Sequence, residues 1–553
     1  MNISILNITK STFDNMILDR SFNPKNQQLT ITYTDKGGNR QYYQKYLHHI
    51  TTYEYDDNGE YDTWNGRKCS KVFKDSTQYK PNEFDILEYM YNLPEDLQKQ
   101  MQAMYTPRLY TFDIETMVSS SFPDPQKAEQ VVTSISLVGS DLSCIVFGLH
   151  QMDDEQKERL ETRYLEFIEN NQFAKNLLAG KLKGKKPKVL YQYFATEEDL
   201  LNHWFKVILP KVPAIAGWNS YRFDFLYLTN RYERLFGKGE LMNVLRKISP
   251  TGELHSIKWE EKNFDRPNRM MAPRHTLWLD YMDLCKNFDY VLTYESFSLD
   301  WVASAAVKAN KIKYTGTLQQ LYERDYEWYY YYNAIDSLLV MLIHYRLKCL
   351  ESPCSVSGVT YVPVMEAMGQ IALTTASVFR EFYLDNKHVV WDWDAVSRVK
   401  QDYEGAFCGC VPGRYEFNVC CDFASLYPSQ VQTCNFSFEN QVVNMVGPDS
   451  LGRYVKVPWS KEQLEEFKKD PNYFVSIMGN VYKNDTDYTF KKMQRRFKKN
   501  RDAYKYLGWK IDAELVTGLE KLIEQKEKEL IEQKEKLIEQ KEKLIEQKEK
   551  ELI

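Results

Sequence analysis

Four carboxylates recur in three short segments, in fixed order along the chain. They are Asp113 and Glu115 in Thr111-Phe-Asp-Ile-Glu-Thr116, Asp224 in Gly217-Trp-Asn-Ser-Tyr-Arg-Phe-Asp224, and Asp336 in Tyr332-Asn-Ala-Ile-Asp336. Four carboxylates in one pocket could hold two divalent ions about 3.5–4 Å apart, a spacing that activates water and stabilises a leaving oxygen. The matching reaction is hydrolysis of a phosphodiester at a 3′ end. If residues 109–116 form a strand, Asp113 and Glu115 leave the same face. Asp224 sits in an apolar frame, where a charge is costly unless it is paired or binds metal. Asn219, five residues earlier, could bond a strand end or a base. Tyr332 and Asp336 are i,i+4 and share a helix face, so the tyrosine hydroxyl could orient an attacking water beside a metal-binding Asp336. Each segment alone has an ordinary reading: a common Asp-x-Glu, a capping Asp, a tyrosine-rich core helix. Their coincidence in this order favours one shared site.

A second centre follows. Asp422 lies in Cys421-Asp-Phe-Ala-Ser-Leu-Tyr-Pro-Ser429, which reads as a strand ending in a turn whose exit is fixed by proline. Backbone N–H groups of such a turn, around Ser425 and Leu426, can meet a triphosphate. Tyr427 can lie beneath a deoxyribose and leave no room for a 2′-hydroxyl. In the basic run Arg495-Arg-Phe-Lys-Lys-Asn-Arg501-Asp-Ala-Tyr-Lys505, an Arg and a Lys at i,i+4 could grip β- and γ-phosphates. Two registers fit, Arg495 with Lys499 and Arg501 with Lys505; the first lies nearer the start of the helix and is preferred. A solvated basic face is the competing reading.

These groups need elements to hold them. The 553 residues suffice for three or four domains. Residues 1–105 read as a small mixed domain: Gln28-Leu-Thr-Ile-Thr-Tyr33 alternates like a strand and Asp35-Lys-Gly-Gly38 reads as a turn. Residues 106–345 read as α/β, with strands at 132–138 and 143–147. The lysine-rich stretch 181–188 reads as a solvated loop. Residues 346–480 mix short helices and strands, and 481–553 begin with a basic helix at 488–506. From Gly518 the sequence repeats Leu-Ile-Glu-Gln-Lys-Glu-Lys, with Glu-before-Lys pairs at i,i+4 that favour a helix. Its apolar seam is thinner than a coiled coil's, so a long solvated helix is expected, with a partner-binding coiled coil as the alternative.

Composition narrows the class only a little. A hydrophobic fraction of 43% is ordinary for a globular protein. The 40 tyrosines suit base stacking, or they simply stand in for phenylalanine; both readings stay open. The net charge of −5 gives no global basic signal, so nucleic-acid binding must come from local patches beside an acidic cluster. The 10 cysteines follow no zinc spacing, although Cys408, Cys410, Cys420 and Cys421 could meet if two strands paired. No basic-then-apolar leader and no run of about 18 apolar residues is visible, which leads us to expect a cytoplasmic protein that is not secreted.

On these residues the chain resembles the family B DNA polymerases, most closely those of tailed phages. The three acidic segments resemble the Exo I, Exo II and Exo III motifs of the family's proofreading domain, and Asp422–Ser429 resembles motif A of the palm. Ser296-Phe-Ser-Leu-Asp300 resembles the segment before Exo III. Tyr403-Glu-Gly-Ala406 resembles a Tyr-x-Gly segment that contacts template DNA through Tyr403 and Gly405. Gly479-Asn-Val-Tyr-Lys483 resembles the entry to the fingers.

The resemblance covers about residues 100–510 and implies a multidomain α/β and α+β chain. Its parts would be an N-terminal domain, a ribonuclease H-like exonuclease domain, a partial palm with motif A and helical fingers ending in the repeat. It implies that Asp113, Glu115, Asp224 and Asp336 bind the exonuclease metals and that Tyr332 positions the water. It further implies that Asp422 binds the polymerase metals, Tyr427 selects against ribose, and Arg495 and Lys499 hold the triphosphate. The cofactor would be Mg²⁺ or Mn²⁺, two ions per active site. Partners would be primer-template DNA, single-stranded 3′ ends with Asn219 among the contacts, deoxynucleoside triphosphates, and a sliding clamp or replisome proteins.

The departures are as informative. Motif B is absent. Tyr482-Lys-Asn-Asp485-Thr-Asp487 has one residue too many for motif C and precedes the basic helix that motif C should follow. The expectation is a replicative DNA polymerase sequence that, as given, removes 3′ nucleotides without extending a primer. The rivals are a stand-alone 3′→5′ exonuclease and a non-catalytic DNA-binding or assembly protein with the repeat as its arm.

Overall fold

In the computed structural model the described residues are, apart from isolated positions, 17–94, 107–117, 123–259, 268–391, 411–417, 426–448 and 454–499. They fall into two compact units, Met1–Val396 and Ser397–Ile553. Tyr403, Gly405, Asp422, Ser425, Arg501, Lys505, the cysteines 408, 410, 420 and 421, and the whole C-terminal repeat lie outside the described residues.

The first unit opens with β1 (Ile17–Asn23), β2 (Gln28–Thr34) and β3 (Arg40–Tyr46), an antiparallel meander. Asp35 closes the turn after β2 by accepting the Gly37 and Asn39 N–H groups. Next come β4 (His49–Tyr55), β5 (Tyr61–Thr63) and β6 (Lys68–Asp75), joined by a two-residue strand from far along the chain, Lys387–His388. The helix Glu83–Tyr91, started by an Asn82–Asp85 capping box, packs with the Gln370–Leu384 helix in one small apolar core. Residues 361–389 are therefore part of the body that the N-terminal strands build.

The larger sheet holds β7 (Leu109–Thr116), β8 (Val132–Gly139), β9 (Cys144–Gly148), β10 (Val189–Tyr193) and β11 (Ala214–Gly217). A hairpin of β12 (Leu254–Trp259) and β13 (Asn268–Pro273) precedes its last strand, β14 (Leu277–Asp280). The order is β10-β9-β8-β7-β11-β14, with β7 antiparallel to β8 and parallel to β11. Alternation along β7 divides the sheet between two cores. Phe112 and Ile114 point to one, with the helices Glu197–His203, Asp224–Phe236 and Lys238–Ile248. Leu109 points to the other, with Asp154–Asn170, Leu299–Val307 and Tyr326–Leu347. The result is helix on both faces of a mixed sheet.

The helix Tyr326–Leu347 is buried along almost all its length, as expected where a helix is apolar all round. Asp325 caps its start, and Lys348 in left-handed conformation (φ 56°) ends it. Two of its tyrosines, Tyr329 and Tyr330, are hydrogen-bonded core. Tyr329 shares a 2.5 Å hydrogen bond with Thr133, and the Tyr330 hydroxyl accepts the N–H groups of Leu149 and His150.

In the second unit the described residues form small antiparallel sheets. Tyr473–Val475, Val481–Lys483 and Gln441–Val442 make one, and Met445–Pro448 with Tyr454–Lys456 makes another. Helices span Leu426–Cys434, Lys461–Lys469 and residues 489–499. Among the described residues no helix is long and apolar enough to cross a membrane.

A buried charged knot ties β1 to the segment before β14. Asp19 accepts from Arg274 Nη2 (2.6 Å), Arg274 Nε (3.0 Å) and the His275 N–H (2.9 Å). His275, completely enclosed, bonds Ser21 and Thr32 through its two ring nitrogens. Burial alone would push the Asp19 carboxyl up; the neighbouring His275 and the Arg274 guanidinium, with the hydrogen bonds both donate, overcome it and hold the group at about 2. A carboxyl depressed in the folded state adds stability above its unfolded pKa and loses it as pH falls through the folded value. The shift from 3.8 to about 2 corresponds to about 2 kcal/mol at neutral pH. Asp19→Asn should therefore lower the urea midpoint at pH 7, and the gap from the parent should close between about pH 5 and pH 2. A gap that stays constant with pH would contradict this account.

Candidate active site

β7 supplies the first two carboxylates. Asp113 and Glu115 stand opposite Ser136 and Ser134 of β8 and face the Tyr326–Leu347 helix. That helix brings Asp336 to them: one oxygen each of Asp113, Glu115 and Asp336 lie within 4.8 Å of one another. Glu115 is 8% exposed and Asp336 2%. Asp224, 3% exposed, begins the Asp224–Phe236 helix rather than capping it, and its Oδ1 accepts the Ile114 N–H at 3.3 Å. It therefore lies against the main chain between Asp113 and Glu115. Three of the expected carboxylates form the tight cluster, and the fourth is anchored beside it.

The loop that delivers Asp224 is held by a residue absent from the sequence motifs. Asp280, at the end of β14, accepts the N–H groups of Asn219 (3.1 Å) and Tyr221 (3.2 Å), and also those of Met282 and Asp283. Asn219 takes a left-handed conformation (φ 62°), which asparagine tolerates better than most residues. A side chain at Gly217 would meet Ser220 Cβ at 2.8 Å and the Phe112 carbonyl at 3.2 Å, so the close approach of this turn to β7 requires glycine.

Opposing charge comes from Lys311, whose Nζ lies 2.6 Å from Asp336 Oδ2 and 5.1 Å from the centre of the Tyr332 ring. Its loop is pinned by Asp300, which accepts the Lys311 N–H at 2.7 Å. Asp300 belongs to the Ser296–Asp300 segment noted in the sequence. Lys311 itself lies in a generic basic stretch, Lys308-Ala-Asn-Lys-Ile-Lys-Tyr314, that carries no signal. Asn333 was in plain view inside the third motif, yet nothing in the spacing assigned it a task. Its Nδ2 donates to Asp113 Oδ2 at 2.8 Å.

One positive charge does not balance the cluster. Burial and then Asp336, Asp224 and Glu115 raise the Asp113 carboxyl well above its ordinary value. Burial and Asp336 raise Glu115 to about 8 against the pull of Lys311. Burial raises Asp224 to about 7, opposed by main-chain N–H groups. For Lys311, burial would lower the ammonium pKa, but the Asp336 charge drives it upward. Burial and Asp336 likewise push the Tyr332 hydroxyl up, so it stays protonated. The site fits a divalent cation on its own chemistry. Its donors are hard oxygens, and Asp336 Oδ1 is a buried acceptor with no hydrogen-bond partner.

The second centre is only partly described. Leu426 and Tyr427 open the Leu426–Cys434 helix and are exposed, Tyr427 at 78%. Arg495 forms an ion pair with Asp487, which also binds Lys491 at 2.9 Å, while Lys499 is exposed. The segment around Asp485 and Asp487 is not a carboxylate cluster: Asp485 accepts from Tyr488 and Asp487 binds these two cations.

Comparison with known proteins bears on the first centre. Residues 63–302 match the family model of the DNA polymerase family B exonuclease domain. The DNA-directed DNA polymerase of Escherichia phage RB69 is 25% identical over 388 residues, covering 69% of this chain and 40% of that protein. That of Enterobacteria phage T4 is 28% identical over 340 residues, covering 60% and 36%. DNA polymerase 1 of Sulfurisphaera ohwakuensis is 24% identical over 351 residues, covering 59% and 34%. The chain thus spans less than half the length of these relatives. The likeness to the exonuclease domain of the family B DNA polymerases lies in residues 63–302, the part of the chain that carries Asp113, Glu115 and Asp224.

The electrostatics predict a measurable instability in chelator. Because Glu115 has a folded pKa of about 8 against 4.5 when free, folding favours its protonated form. Stability is therefore full below about pH 4.5 and is lost as pH rises towards 8. The melting temperature in EDTA should fall across that window, and Glu115→Gln should flatten the fall. An equally steep decline in the variant would refute the assignment.

Proposed function

We propose that the Asp113–Glu115–Asp224–Asp336 centre removes nucleotides from DNA 3′ ends by hydrolysis. The protein it belongs to would be a replicative, family B DNA-directed DNA polymerase for which this is the 3′→5′ proofreading domain. The carrying observation is the buried meeting of Asp113, Glu115 and Asp336 oxygens within 4.8 Å, in a segment that matches the exonuclease domain model. A ribonuclease H-like class for residues 106–345 is supported by the strand order, in which an antiparallel β7-β8-β9 run continues through β11 and β14 parallel to β7. Residues 1–105 would be the N-terminal domain and 481–553 fingers; of the 346–480 stretch expected as palm with motif A, residues 361–389 would go instead with the N-terminal domain, whose core they share.

Asp113, Glu115, Asp224 and Asp336 would hold two divalent ions, Mg²⁺ or Mn²⁺. Bound there, such ions supply Lewis-acid stabilisation of the phosphoryl oxygens and a more acidic water. The chain's own residues do the rest. The protonated Tyr332 hydroxyl, on the same helix face as Asp336, orients the water for in-line attack on the terminal phosphodiester. Attack forms the new P–O bond, breaks the bond to the 3′ oxygen of the penultimate nucleotide, and leaves a nucleoside 5′-monophosphate. Lys311 contributes positive charge beside the phosphate that outlasts each turnover. Asn219, at the tip of the turn that Asp280 fixes, would bond the terminal base.

At the second centre, Asp422 would bind the polymerase metals, with Ser425, Leu426, Tyr427, Arg495 and Lys499 around the triphosphate and Tyr403 and Gly405 on template DNA. Deoxynucleoside triphosphates, primer-template DNA and a sliding clamp or other replisome proteins would be the partners, in the cytoplasm of the host cell.

A 3′-labelled single strand with Mg²⁺ tests the reading. The parent should release mononucleotides. The Asp113→Ala, Glu115→Ala double variant should lose at least about 10³-fold in rate, the scale of several kcal/mol of metal-supplied charge stabilisation, while still binding DNA. A parent that binds DNA but leaves its 3′ end intact would instead favour the non-catalytic reading.

A further inference from the structure

We propose that Asn333 is a positioning residue of the hydrolytic centre, acting through Asp113, with Ser134 holding the far end of its amide. The inference rests on the exonuclease reading above. Asn333 is fully buried and all its polar ends are engaged. Nδ2 donates to Asp113 Oδ2 at 2.8 Å, Oδ1 accepts from the Ser134 hydroxyl at 2.8 Å, and the main-chain carbonyl accepts from Ser136 at 2.8 Å. Asn333 therefore bridges the helix that carries Asp336 to both strands beneath it.

The polarity of the amide makes this contact directional. An ionised Asp113 can only accept, so it demands the NH₂ end. The oxygen end then needs a donor, and the Ser134 hydroxyl supplies it. With Oδ2 engaged, Asp113 cannot rotate away from its repelling neighbours Asp336 and Glu115, and Oδ1 remains as the ligand atom. A neutral amide achieves this without adding positive charge. Lysine or arginine in the same place would orient Asp113 too, but would weaken the site for a cation. Lys311, by contrast, contacts Asp336 and contributes charge.

The neighbouring Ser337 offers a control. Its hydroxyl bonds Ser136 at 2.6 Å and touches no carboxylate, so it shares the packing role of Asn333 without the contact to Asp113. The experiment measures Mn²⁺ binding by electron paramagnetic resonance without DNA, together with the Mg²⁺ dependence of 3′ digestion. Asn333→Leu should weaken Mn²⁺ binding about 10–100-fold, the usual consequence of removing a partner that orients a metal ligand. It should lower kcat comparably and leave KM for DNA within about threefold. Ser134→Ala should move both readouts the same way by less, whereas Ser337→Ala should lower the melting temperature and leave Mn²⁺ affinity unchanged. Parent-like Mn²⁺ affinity in Asn333→Leu overturns the proposal, as does an equal loss in Ser337→Ala. If Asn333→Leu fails to fold, Asn333→Ala is read by the same criterion. A parent that neither binds Mn²⁺ nor digests DNA defeats the exonuclease reading itself, and this inference with it.

Discussion

Like charges at close range dominate this molecule. Asp113, Glu115 and Asp336 present oxygens within 4.8 Å of one another in a setting largely closed to water. Repulsion there is several-fold stronger than at a surface, because little solvent screens it. Apolar packing alone would not hold such a cluster, since it is non-directional and a helix can slide on it. The fold answers with directional contacts. Thr111 donates to the Ser337 carbonyl at 2.8 Å, Ser136 to that of Asn333, and Thr133 meets the Tyr329 hydroxyl. These small hydroxyls all lie on β7 and β8 and are fully enclosed. They set the Tyr326–Leu347 helix in one register, and that register decides whether Asp336 meets Asp113.

The same logic explains the asymmetry between the two sides of the sheet. Towards the Asp224–Phe236 helix, Phe112, Phe225, Trp204 and Trp278 pack as an aromatic core, with Phe225 and Trp278 stacked 4.7 Å apart. Position on that side is fixed by shape. The side facing Asp336 mixes apolar residues with a hydrogen-bonded strip where the carboxylates emerge. Asp224 alone comes from the aromatic side, and it needs a separate device. Asp280 collects four backbone N–H groups and sets the turn from which Asp224 reaches the strand.

Much of this was legible in the sequence, for identifiable reasons. Strand alternation announced β2, β8 and β9, and the two-residue spacing of Asp113 and Glu115 announced a shared face. Carboxylates in apolar frames are conspicuous because burying them is costly. What stayed hidden were residues whose role depends on a partner distant in the chain. Asn333 is one amide among many until Ser134 and Asp113 are placed around it. Lys311 looks like any loop lysine until Asp300 pins its backbone. Lys387–His388 could not be assigned to the N-terminal sheet, because a two-residue strand has no pattern and its neighbour, β5, lies more than three hundred residues earlier. The tyrosine excess stayed ambiguous for a different reason. Stacking and core packing leave the same composition, and Tyr329 and Tyr330 turn out to be hydrogen-bonded core.

Charge balance also constrains how the proposed site would work. With all four carboxylates ionised and Lys311 protonated, the pocket carries three negative charges. A phosphodiester brings one more, so the fully ionised site repels its substrate until cations offset the carboxylates. One divalent ion would leave the pocket at minus one, still repelling. Two would bring it to plus one, which a single phosphodiester neutralises. Lys311 is what makes this sum close. Without it, two ions would only cancel the carboxylates and leave no net attraction for the backbone. Its position against Asp336, rather than out in solvent, lets it act at short range where screening is weak. On this argument the lysine and the four carboxylates form one electrostatic unit, and the directional contacts around Asp113 and Asp224 keep that unit assembled before any ion arrives.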